Sequence, residues 1–329
     1  MKTYAAFSNN DIRENSSSGG LFSVIASEFD VVYGVTMSDD CYTAEYTRCD
    51  SKNVSVLRGS KYIQANTGNS FVSIKKDLDN GKNVLVTGTG CQINGLCCYL
   101  GKEYDNLLCV EIVCHGVPSP RLWQKYLTQQ EAKYGKAKCV NFRFKDYRII
   151  RTYEHFNSFY ETKDNNSFMR MFLRDYCLRP SCYECPAKTY RKADITIGDF
   201  WGIETVAPEL NDGRGISLVI TRSEKGQSLF DTIKTFLIWK EVTYQDGVKL
   251  NPSEYKTSFR PVQRDVFYQD LEQLDFEIME KKYAFDKKQS VKQLLFSKTK
   301  SLIKKMLCGN QKSESNGNYG LLILFDKKD

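Results

Sequence analysis

Hydrophobic and polar positions follow one rhythm through the first part of the chain: a short apolar run, a loop of small residues, then an amphipathic stretch. Residues 84–87 form a β-branched run that ends in the Gly-Thr-Gly turn 88–90, and residues 93–100 then have a helical pattern. Residues 107–113 and 121–134 repeat the two patterns in the same order. Strand–loop–helix repetition predicts an α/β sheet that is at least partly parallel.

The remaining segments complete the predicted architecture. Strands are predicted at 194–198 and 216–221, a helix at 224–237, antiparallel strands within the aromatic- and Arg-rich span 139–159, and separate helices at 270–283 and 291–307. The predicted fold class is α/β in a mixed α+β form: a partly parallel sheet flanked by helices, with an antiparallel insertion and a C-terminal helical tail. We expect one domain over residues 1–245, a helical extension over 246–308 and a flexible tail over 309–329.

The net charge of +7 belongs to the C-terminal end of the chain. Residues 281–329 hold twelve Lys against four carboxylates, so the main body is nearly neutral and we expect no nucleic-acid surface there. Within this end, residues 291–307 interleave apolar and Lys positions. A basic amphipathic helix can lie on an anionic membrane. Such helices more often pack on their own domain, and we favour that interpretation.

Twelve cysteines have to be explained. The chain has no apolar run near the roughly 20 residues that cross a bilayer, and its first residues lack the apolar segment of a signal peptide. We therefore expect a cytoplasmic protein, in which thiols stay reduced. Six of the cysteines fit best as ordinary core residues, namely Cys41, Cys49, Cys97, Cys98, Cys109 and Cys139. Others are placed in ways that suit a metal.

The strongest local signal is Cys182-Tyr-Glu-Cys185-Pro, which is preceded by Cys177. A Cys-x-x-Cys pair can place two thiolates on one metal or cluster, and a following Pro is familiar from ferredoxin-like loops. Alone, the pair could equally be a zinc knuckle or two surface thiols, because a zinc site needs four ligands. Thioredoxin-type chemistry fits poorly, since no βαβ start surrounds the pair.

Cys91 and Cys114 are the candidates for the missing ligands. Each follows the C-terminal end of a predicted strand, where the loops of an open α/β sheet converge on a ligand crevice. Each has glycine neighbours, which let a bulky inorganic group approach the backbone. Four thiolates from two regions suit a [4Fe–4S] cluster better than a zinc finger, whose ligands usually come as two close pairs. His115 could tune its neighbouring ligand by hydrogen bonding, whereas we expect His155 to be structural.

Three segments could hold an organic cofactor. Small residues ahead of an apolar helix, here residues 16–20, leave free backbone N–H groups that suit a phosphate. From this motif alone, however, a flexible loop with a Ser cap is the favoured interpretation. Arg-Gly-Ser-Lys-Tyr at residues 58–62 combines cations with an aromatic ring, which suits a diphosphate and a stacked ring or a solvated turn. Asp199 and Trp201 follow a predicted strand and could line a flat ring, or serve as a capping carboxylate and a core indole.

Seven sequence segments then occur in a fixed order over roughly residues 4–240: SSSGGLFSVIA, RGSKYIQA, GTGCQINGL, VCHGVPSPRLW, NFRFK, LRPSCYECPAK and DITIGDFWGI. In this order they resemble the coenzyme F420 hydrogenase/dehydrogenase beta-subunit family. The resemblance implies a [4Fe–4S] cluster on Cys91, Cys114, Cys182 and Cys185, with Cys177 as a fifth candidate of lower rank. It also implies FAD, and the candidate cofactor-binding residues are Ser17, Ser18, Gly19, Gly20, Arg58, Gly59, Ser60, Lys61, Tyr62, Gly88, Thr89, Asp199 and Trp201.

The function implied by this resemblance is that of an iron–sulfur flavoprotein oxidoreductase. It would move electrons between a reduced carrier (deazaflavin F420, NAD(P)H or ferredoxin) and a partner, by way of FAD and one cluster. Relatives often begin with a ferredoxin-like module that this sequence does not show, so we expect a separate ferredoxin or another redox partner protein. Gly90 stands where a Pro is usual, which loosens the turn.

A different class of function remains open. Family members often belong to surface-polysaccharide systems, and the chain could be a non-catalytic scaffold of such a system. In that case zinc or a cluster would only staple the loop around Cys182 and Cys185 to the sheet.

Overall fold

The fold is described from a computed structural model, which describes residues 1–144, 156–285 and 319–326. The strands are β1 (Lys2–Ser8), β2 (Val31–Met37), β3 (Ala44–Asp50), β4 (Ala65–Asn66), β5 (Val84–Thr89), β6 (Leu107–Ile112), β7 (Ala137–Phe144), β8 (Phe156–Thr162), β9 (Ile195–Asp199), β10 (Ser217–Thr221), β11 (Leu237–Val242) and β12 (Gly320–Asp326). The α-helices are α1 (Asn10–Glu14), α2 (Leu21–Ala26), α3 (Ser70–Asp79), α4 (Gly90–Leu100), α5 (Pro120–Tyr134), α6 (Ser167–Leu173), α7 (Ile203–Val206), α8 (Glu224–Ile233), α9 (Tyr244–Val248), α10 (Arg264–Gln273) and α11 (Phe276–Met279).

Nine of the described strands form one mixed sheet, in the order β11-β1-β10-β9-β6-β5-β2-β3-β4. Its centre is parallel, because β2, β5, β6 and β9 pair in one direction. The strand β10 is antiparallel to β9, and β1 is antiparallel to β10, so β1 runs in the same direction as β9. The strands β1, β5, β6 and β9 therefore end on the same side of the sheet, at Ser8, Thr89, Ile112 and Asp199, and we call this side the site edge.

Helices cover both faces of the parallel centre, as the predicted fold class requires. Leu85 and Leu108 pack with α2 and α8 on one face, whereas Val84 and Cys109 pack with α3 and α4 on the other. Successive side chains of a strand point to opposite faces, so strands that are apolar throughout have to be covered on both sides. The mixed α/β prediction is confirmed, with β5 and β6 as its buried centre.

The antiparallel insertion is built differently from the expectation. The strands β7 and β8 do not pair with each other, because β12 lies between them and pairs antiparallel with both. The prediction of a flexible tail over 309–329 was therefore wrong for Gly320–Asp326, which form a buried strand. Its run Gly-Leu-Leu-Ile-Leu-Phe is apolar throughout, and Leu321, Ile323 and Phe325 are completely buried in the core that also holds Trp123. Removing this apolar surface from water stabilises the pairing.

The C-terminal region packs on that same core. One helix was predicted over 270–283, but the structure has α10, a break, α11 and a π-helical turn at Glu280–Ala284. Phe267, Phe276 and Tyr283 are buried from these segments together with residues of α5 and α6. The predicted helix over 291–307 and the linker over 309–318 lie outside the described residues. The domain boundaries at 245 and 308 stay a prediction, and no helix of the described chain is long and apolar enough to span a bilayer.

Candidate functional site

Four cysteines gather at the site edge from three loops. Cys91 is the second residue of α4, directly after β5, and Cys114 follows the end of β6. Cys182 and Cys185 lie between α6 and β9, in a loop that contains the 3₁₀ turns Pro180–Cys182 and Pro186–Lys188. The thiol of Cys182 interacts electrostatically with those of Cys91 and Cys185, and the thiol of Cys114 interacts with those of Cys91 and Cys182. The structure therefore brings all four predicted cysteines together.

Backbone contacts hold two of these loops against each other. Residues 118 and 178 form a β-bridge, and the amide of Arg179 donates to the carbonyl of Val117 at 2.8 Å. The amide of Val117 in turn donates to Sγ of Cys182 at 3.4 Å. The Lys188 ammonium donates to the carbonyl of Cys114 at 2.6 Å. These contacts hold the loops of Cys114 and Cys182 against each other, as a preorganised site requires.

The four thiols do not form a preformed site for a single metal ion in this structure. No three or more Cys, His, Asp or Glu side chains in the described ranges are placed to hold a single metal ion. A tetrahedral zinc ion with bonds of about 2.3 Å would hold its thiolates only about 3.8 Å apart. A four-iron cluster is a larger body with four Cys ligands. Both groups take four thiolates, which is the donor set that gathers at the site edge.

Burial keeps two of the thiols protonated. It raises the pKa of Cys114 to about 12, with the neighbouring thiols acting in the same direction. Burial is also the main reason that the pKa of Cys182 is raised. Metal ligands have to be deprotonated, so coordination of iron here would release these protons.

The other cysteines divide into confirmed and wrong predictions. Cys41 and Cys109 are buried as expected, and Cys49 and Cys97 are half-buried. Cys98 and Cys139 are exposed, so the expectation of a core position was wrong for both. Cys98 lies on the solvent side of α4, and Cys139 lies on an edge strand of the small sheet, where alternate residues face water.

Cys177, the fifth candidate ligand, is a core residue. Its side chain is completely buried among apolar residues of the core that holds Leu178 and Phe267. Burial raises the pKa of its thiol far above the ordinary value. Its carbonyl accepts hydrogen bonds from the amide of Ser119 and from the hydroxyl of Tyr268, both at 2.8 Å. This packing sets Cys177 apart from the other four candidate cysteines.

A buried network of four charges lies beneath the cysteine loops. Glu111 in β6 and Glu254 in the segment after α9 are almost completely buried, and Arg191 and Arg222 bridge them. Arg191 Nη2 lies 3.0 Å from Glu254 Oε1, and Arg222 Nε lies 3.4 Å from Glu111 Oε1. The hydroxyl of Thr196 also donates to Glu111 at 2.6 Å. Two carboxylates and two guanidinium groups balance, which makes their burial tolerable.

This network explains the unusual Gly90. The second oxygen of Glu111 lies against the start of α4, where a Cβ on residue 90 would stand 2.6 Å from it and 3.1 Å from the Cβ of Ala187. A side chain at residue 90, that of Pro included, would therefore require the Glu111 carboxylate to shift. Gly90 was expected to loosen the turn. In the structure its missing side chain instead allows close packing against Glu111 and Ala187. Sequence reasoning missed this network, although a lone Glu111 within an apolar strand is a signal that a buried partner exists.

The predicted phosphate segments come together only in part. Ser17 Oγ accepts from the amide of Ser60 at 3.1 Å, so residues 17 and 60 are neighbours across 43 positions. Arg58 Nε donates to Ser23 Oγ at 2.8 Å, which places its guanidinium beside the start of α2. Gly59 has a positive φ of 85° and open space where a side chain would be, so its backbone is accessible. Ser17, Arg58 and Ser60 form one polar patch.

Gly19 and Gly20 are used for packing. A Cβ on Gly19 would lie 2.6 Å from the carbonyl oxygen of Ala6, and the Gly19 amide already donates to Ser217 Oγ at 3.0 Å. A Cβ on Gly20 would meet Ser8 Oγ at 2.5 Å, and its φ of 86° also favours glycine. Ser18 Oγ donates to the carbonyl of residue 216 at 3.0 Å. These residues pack the loop against β1 and β10. The Gly19 amide and the Ser18 hydroxyl already have internal hydrogen-bond partners and are not available to a phosphate.

Lys61 also has internal partners. Its ammonium donates to the carbonyls of Leu57 at 3.0 Å and Arg58 at 2.7 Å, at the end of the 3₁₀ segment Ser51–Leu57. Burial lowers the pKa of Lys61 to about 8. These two hydrogen bonds stabilise the turn that carries Arg58. The Lys61 ammonium is thus directed at the backbone of its own loop.

The low pKa of Lys61 predicts a pH dependence of stability. The unfolded side chain titrates near pH 10.5 and the folded one near pH 8, so the unfolded chain binds more protons between these values and stability rises with pH there. In urea titrations we expect the wild type to gain on the order of 2 kcal/mol relative to Lys61→Arg over this interval, because Arg does not titrate. The exposed Lys76→Arg variant is the control and should follow the wild type. Parallel profiles for wild type and Lys61→Arg would contradict the assignment.

The predicted ring site is organised by Arg143, which the sequence did not single out. This guanidinium is buried and ion-paired with Asp199 at the end of β9. Burial alone would lower the pKa of Arg143, but the Asp199 carboxylate outweighs it and raises the pKa above its ordinary value. Its Cζ lies 4.3 Å from the ring centroid of Tyr319 and 5.8 Å from that of Trp201. Its Nη1 donates to the hydroxyl of Tyr62 at 3.4 Å. Arg143 thus joins Tyr62, Asp199 and Trp201, three predicted site residues.

Gly88 and Thr89 have local roles. The hydroxyl of Tyr46 packs against Gly88, where a Cβ would stand only 2.1 Å from it. This hydroxyl donates to the carbonyl of Thr87 at 2.9 Å. Thr89 forms a capping box with Gln92 at the start of α4, and its hydroxyl lies 3.2 Å from Sγ of Cys91. This turn therefore positions the first cysteine.

An aromatic contact connects the ring site to the cysteines. The rings of Tyr62 and Phe172 have centroids 5.5 Å apart, and those of Phe172 and His115 have centroids 5.2 Å apart. His115 is the neighbour of Cys114 in sequence, and its Nε2 lies 2.7 Å from Oδ1 of Asp175. The two halves of the candidate site are thus in van der Waals contact through one phenyl ring. His155, expected to be structural, lies outside the described residues.

Comparison with known proteins adds the family context. The family model for the C-terminal part of the coenzyme F420 hydrogenase/dehydrogenase beta subunit matches residues 81–243. A chain of the F420-reducing [NiFe] hydrogenase complex from Methanosarcina barkeri, solved in a xenon derivatization study, is structurally similar with a TM-score of 0.52 and 16% identity. The match covers 82% of this chain and 91% of that one, and at this identity it shows the fold alone. No curated protein matches the chain.

Proposed function

Residues 81–243 belong to the coenzyme F420 hydrogenase/dehydrogenase beta-subunit family, and from this premise we propose that the chain is an oxidoreductase that uses FAD and one [4Fe–4S] cluster. The observation that carries the proposal is the convergence of Cys91, Cys114, Cys182 and Cys185 from three loops at the site edge. When bound, FAD accepts two electrons and can pass them singly, while the cluster carries one. This combination connects a two-electron carrier to a one-electron partner.

The chain's own residues hold and orient these groups. The four cysteines are the iron ligands. The patch of Ser17, Arg58 and Ser60 would hold the anionic phosphates. A guanidinium cation with neighbouring serine hydroxyls favours such groups. Around the ring, Tyr62 and Trp201 supply flat surfaces, and Asp199 acts through Arg143, which it keeps charged and in place. Of the thirteen candidate cofactor residues, Gly19, Gly20, Lys61, Gly88 and Thr89 support the site by shaping its loops.

The physiological setting is part of the proposal. The carrier is F420, NAD(P)H or ferredoxin, and the cofactor domain lies within residues 1–245. The structural neighbour belongs to a hydrogenase complex, which supports a protein partner for this chain as well. We place the protein in the cytoplasm, with a role in surface-polysaccharide metabolism.

Anaerobic purification tests this function. We expect a brown protein whose broad absorbance is lost on addition of dithionite, and which releases a fluorescent flavin on denaturation. Mixing it with reduced F420, NADH, NADPH or reduced ferredoxin should then bleach the flavin with one of the carriers. A colourless, zinc-loaded protein without flavin would overturn the proposal in favour of a scaffold.

A further inference from the structure

A surface cleft opens directly beside the loop of Cys182 and Cys185. Its volume is about 600 Å³, and residues 180, 181, 183 and 184 line one wall while residues 257–260 line the other. The second wall is fixed to the Cys114 loop, because Ser258 Oγ donates to the carbonyl of His115 at 2.5 Å. The cleft therefore borders two of the three loops that carry the cysteines.

Large apolar side chains are exposed in the chain segment that contains the second wall of the cleft. The side chain of Phe259, in the cleft wall, is 75% exposed, and Val262 is 90% exposed. Leu250 and Tyr255 in the same segment are 53% and 39% exposed. Single exposed apolar residues are ordinary on protein surfaces. Four of them within thirteen positions, in the segment that also forms a cleft wall, suit a surface that another molecule covers.

The charges around the cleft have one predominant sign. Over residues 179–184 and 249–260, the exposed charged side chains are four cations and one carboxylate, namely Arg179, Lys249, Lys256, Arg260 and Glu184. Arg260 is paired with Asp265 at 2.9 Å, and this pair is itself exposed. The partner that complements such a rim carries a negative surface.

We propose that this cleft face, formed by residues 179–184 and 249–262, docks a small acidic electron-transfer protein of the ferredoxin type. The proposal rests on the proposed function, since it assigns a role to the cluster on Cys182 and Cys185. In the docked pair the ferredoxin gives up one electron and this chain takes it up, or the reverse. Electron-transfer complexes use small interfaces, in which charges at the rim speed association and a few apolar anchors give affinity. Phe259 is the anchor, and Lys249 and Lys256 are the steering charges.

Binding of a purified acidic bacterial ferredoxin to the full chain tests this surface. Titration calorimetry at 50 mM and 300 mM salt gives Kd, and stopped-flow absorbance gives the rate of electron exchange. We expect the double variant Lys249→Glu/Lys256→Glu to weaken binding about tenfold at low salt and much less at high salt, because salt screens rim charges. Phe259→Ala should weaken binding about fivefold at both salt concentrations. Lys76→Glu and Val72→Ala on α3 are the matched controls and should stay within about twofold of the wild type.

The outcomes separate the docking surface from the proposed function. Iron, sulfide and flavin contents are measured on every sample. Bound iron with no ferredoxin binding, or with cleft variants that bind like wild type, overturns the docking surface alone. Ferredoxin binding that the cleft variants weaken, in a chain without iron, keeps the surface and overturns the oxidoreductase. Absence of both iron and binding overturns the two together.

Discussion

The Cys182→Ala variant is expected to lose nearly all of its iron and acid-labile sulfide after anaerobic purification. Wild-type protein should carry about four irons per chain, and the variant fewer than about one, because each Cys thiolate holds one corner of a [4Fe–4S] cluster. The thiol of Cys182 faces those of Cys91, Cys114 and Cys185, so its removal opens the site at one corner. Iron and sulfide assays, with the absorbance of the reduced and oxidised protein, measure the loss.

Two cysteines of the same chain serve as controls for this result. Cys98 is exposed on α4, the helix that also carries Cys91, and Cys98→Ala should keep its iron. Cys177→Ala should also keep it, because Cys177 is enclosed in the apolar core, although the cavity lowers stability. Part of the flavin should remain in Cys182→Ala, since the polar patch and ring residues lie on other segments. Full iron in Cys182→Ala, or loss of iron in Cys98→Ala, would refute the ligand assignment.

The second large effect is expected from Glu254→Ala, which should lower the free energy of unfolding by about 3–5 kcal/mol. Glu254 is completely buried and pairs with Arg191 and Arg222, while Tyr244 donates a hydrogen bond to its second oxygen. Its removal leaves one carboxylate, that of Glu111, for two buried guanidinium groups. An uncompensated buried charge costs several kcal/mol, more than the intact pair contributes. Urea denaturation followed by circular dichroism measures the change.

An exposed ion pair provides the matched control. Glu241 lies 3.6 Å from Lys2, and both side chains are about half exposed. Glu241→Ala should change stability by less than about 0.5 kcal/mol, because water screens the pair. A loss under about 1 kcal/mol in Glu254→Ala would show that the arginines find water or other partners, and that the network does not stabilise the cysteine loops.

Local patterns were sufficient for the central sheet. The apolar runs at 84–87 and 107–113 and the helical pattern after each became β5, α4, β6 and α5 within a few residues. The predicted helix over 224–237 was right until Ile233, after which Leu237 begins β11 because it pairs with β1. Parallel strands with intervening helices also place the loops after β5 and β6 on one edge. Cys91 and Cys114 could therefore be predicted as neighbours.

Pairing across long sequence separations could not be derived this way. Residues 320–326 pair with strands more than 150 positions earlier, and no local pattern says that a terminal apolar run enters a sheet between them. Arg143 and Asp199 are 56 positions apart, and Glu111 meets Arg191 over 80 positions. Such contacts depend on how the elements pack, and packing is decided by the whole core.

By itself the sequence determined that this protein has a partly parallel α/β sheet and that four cysteines from distant segments are candidates for one cluster, because periodicity and strand-end position are local properties. Only the tertiary structure decided which polar residues are free for a cofactor. It assigned Gly19, Gly20 and Lys61 to packing and internal hydrogen bonds, and Cys177 to the core. The physical reason is that every buried polar group needs a partner, and that partner is chosen by the folded chain.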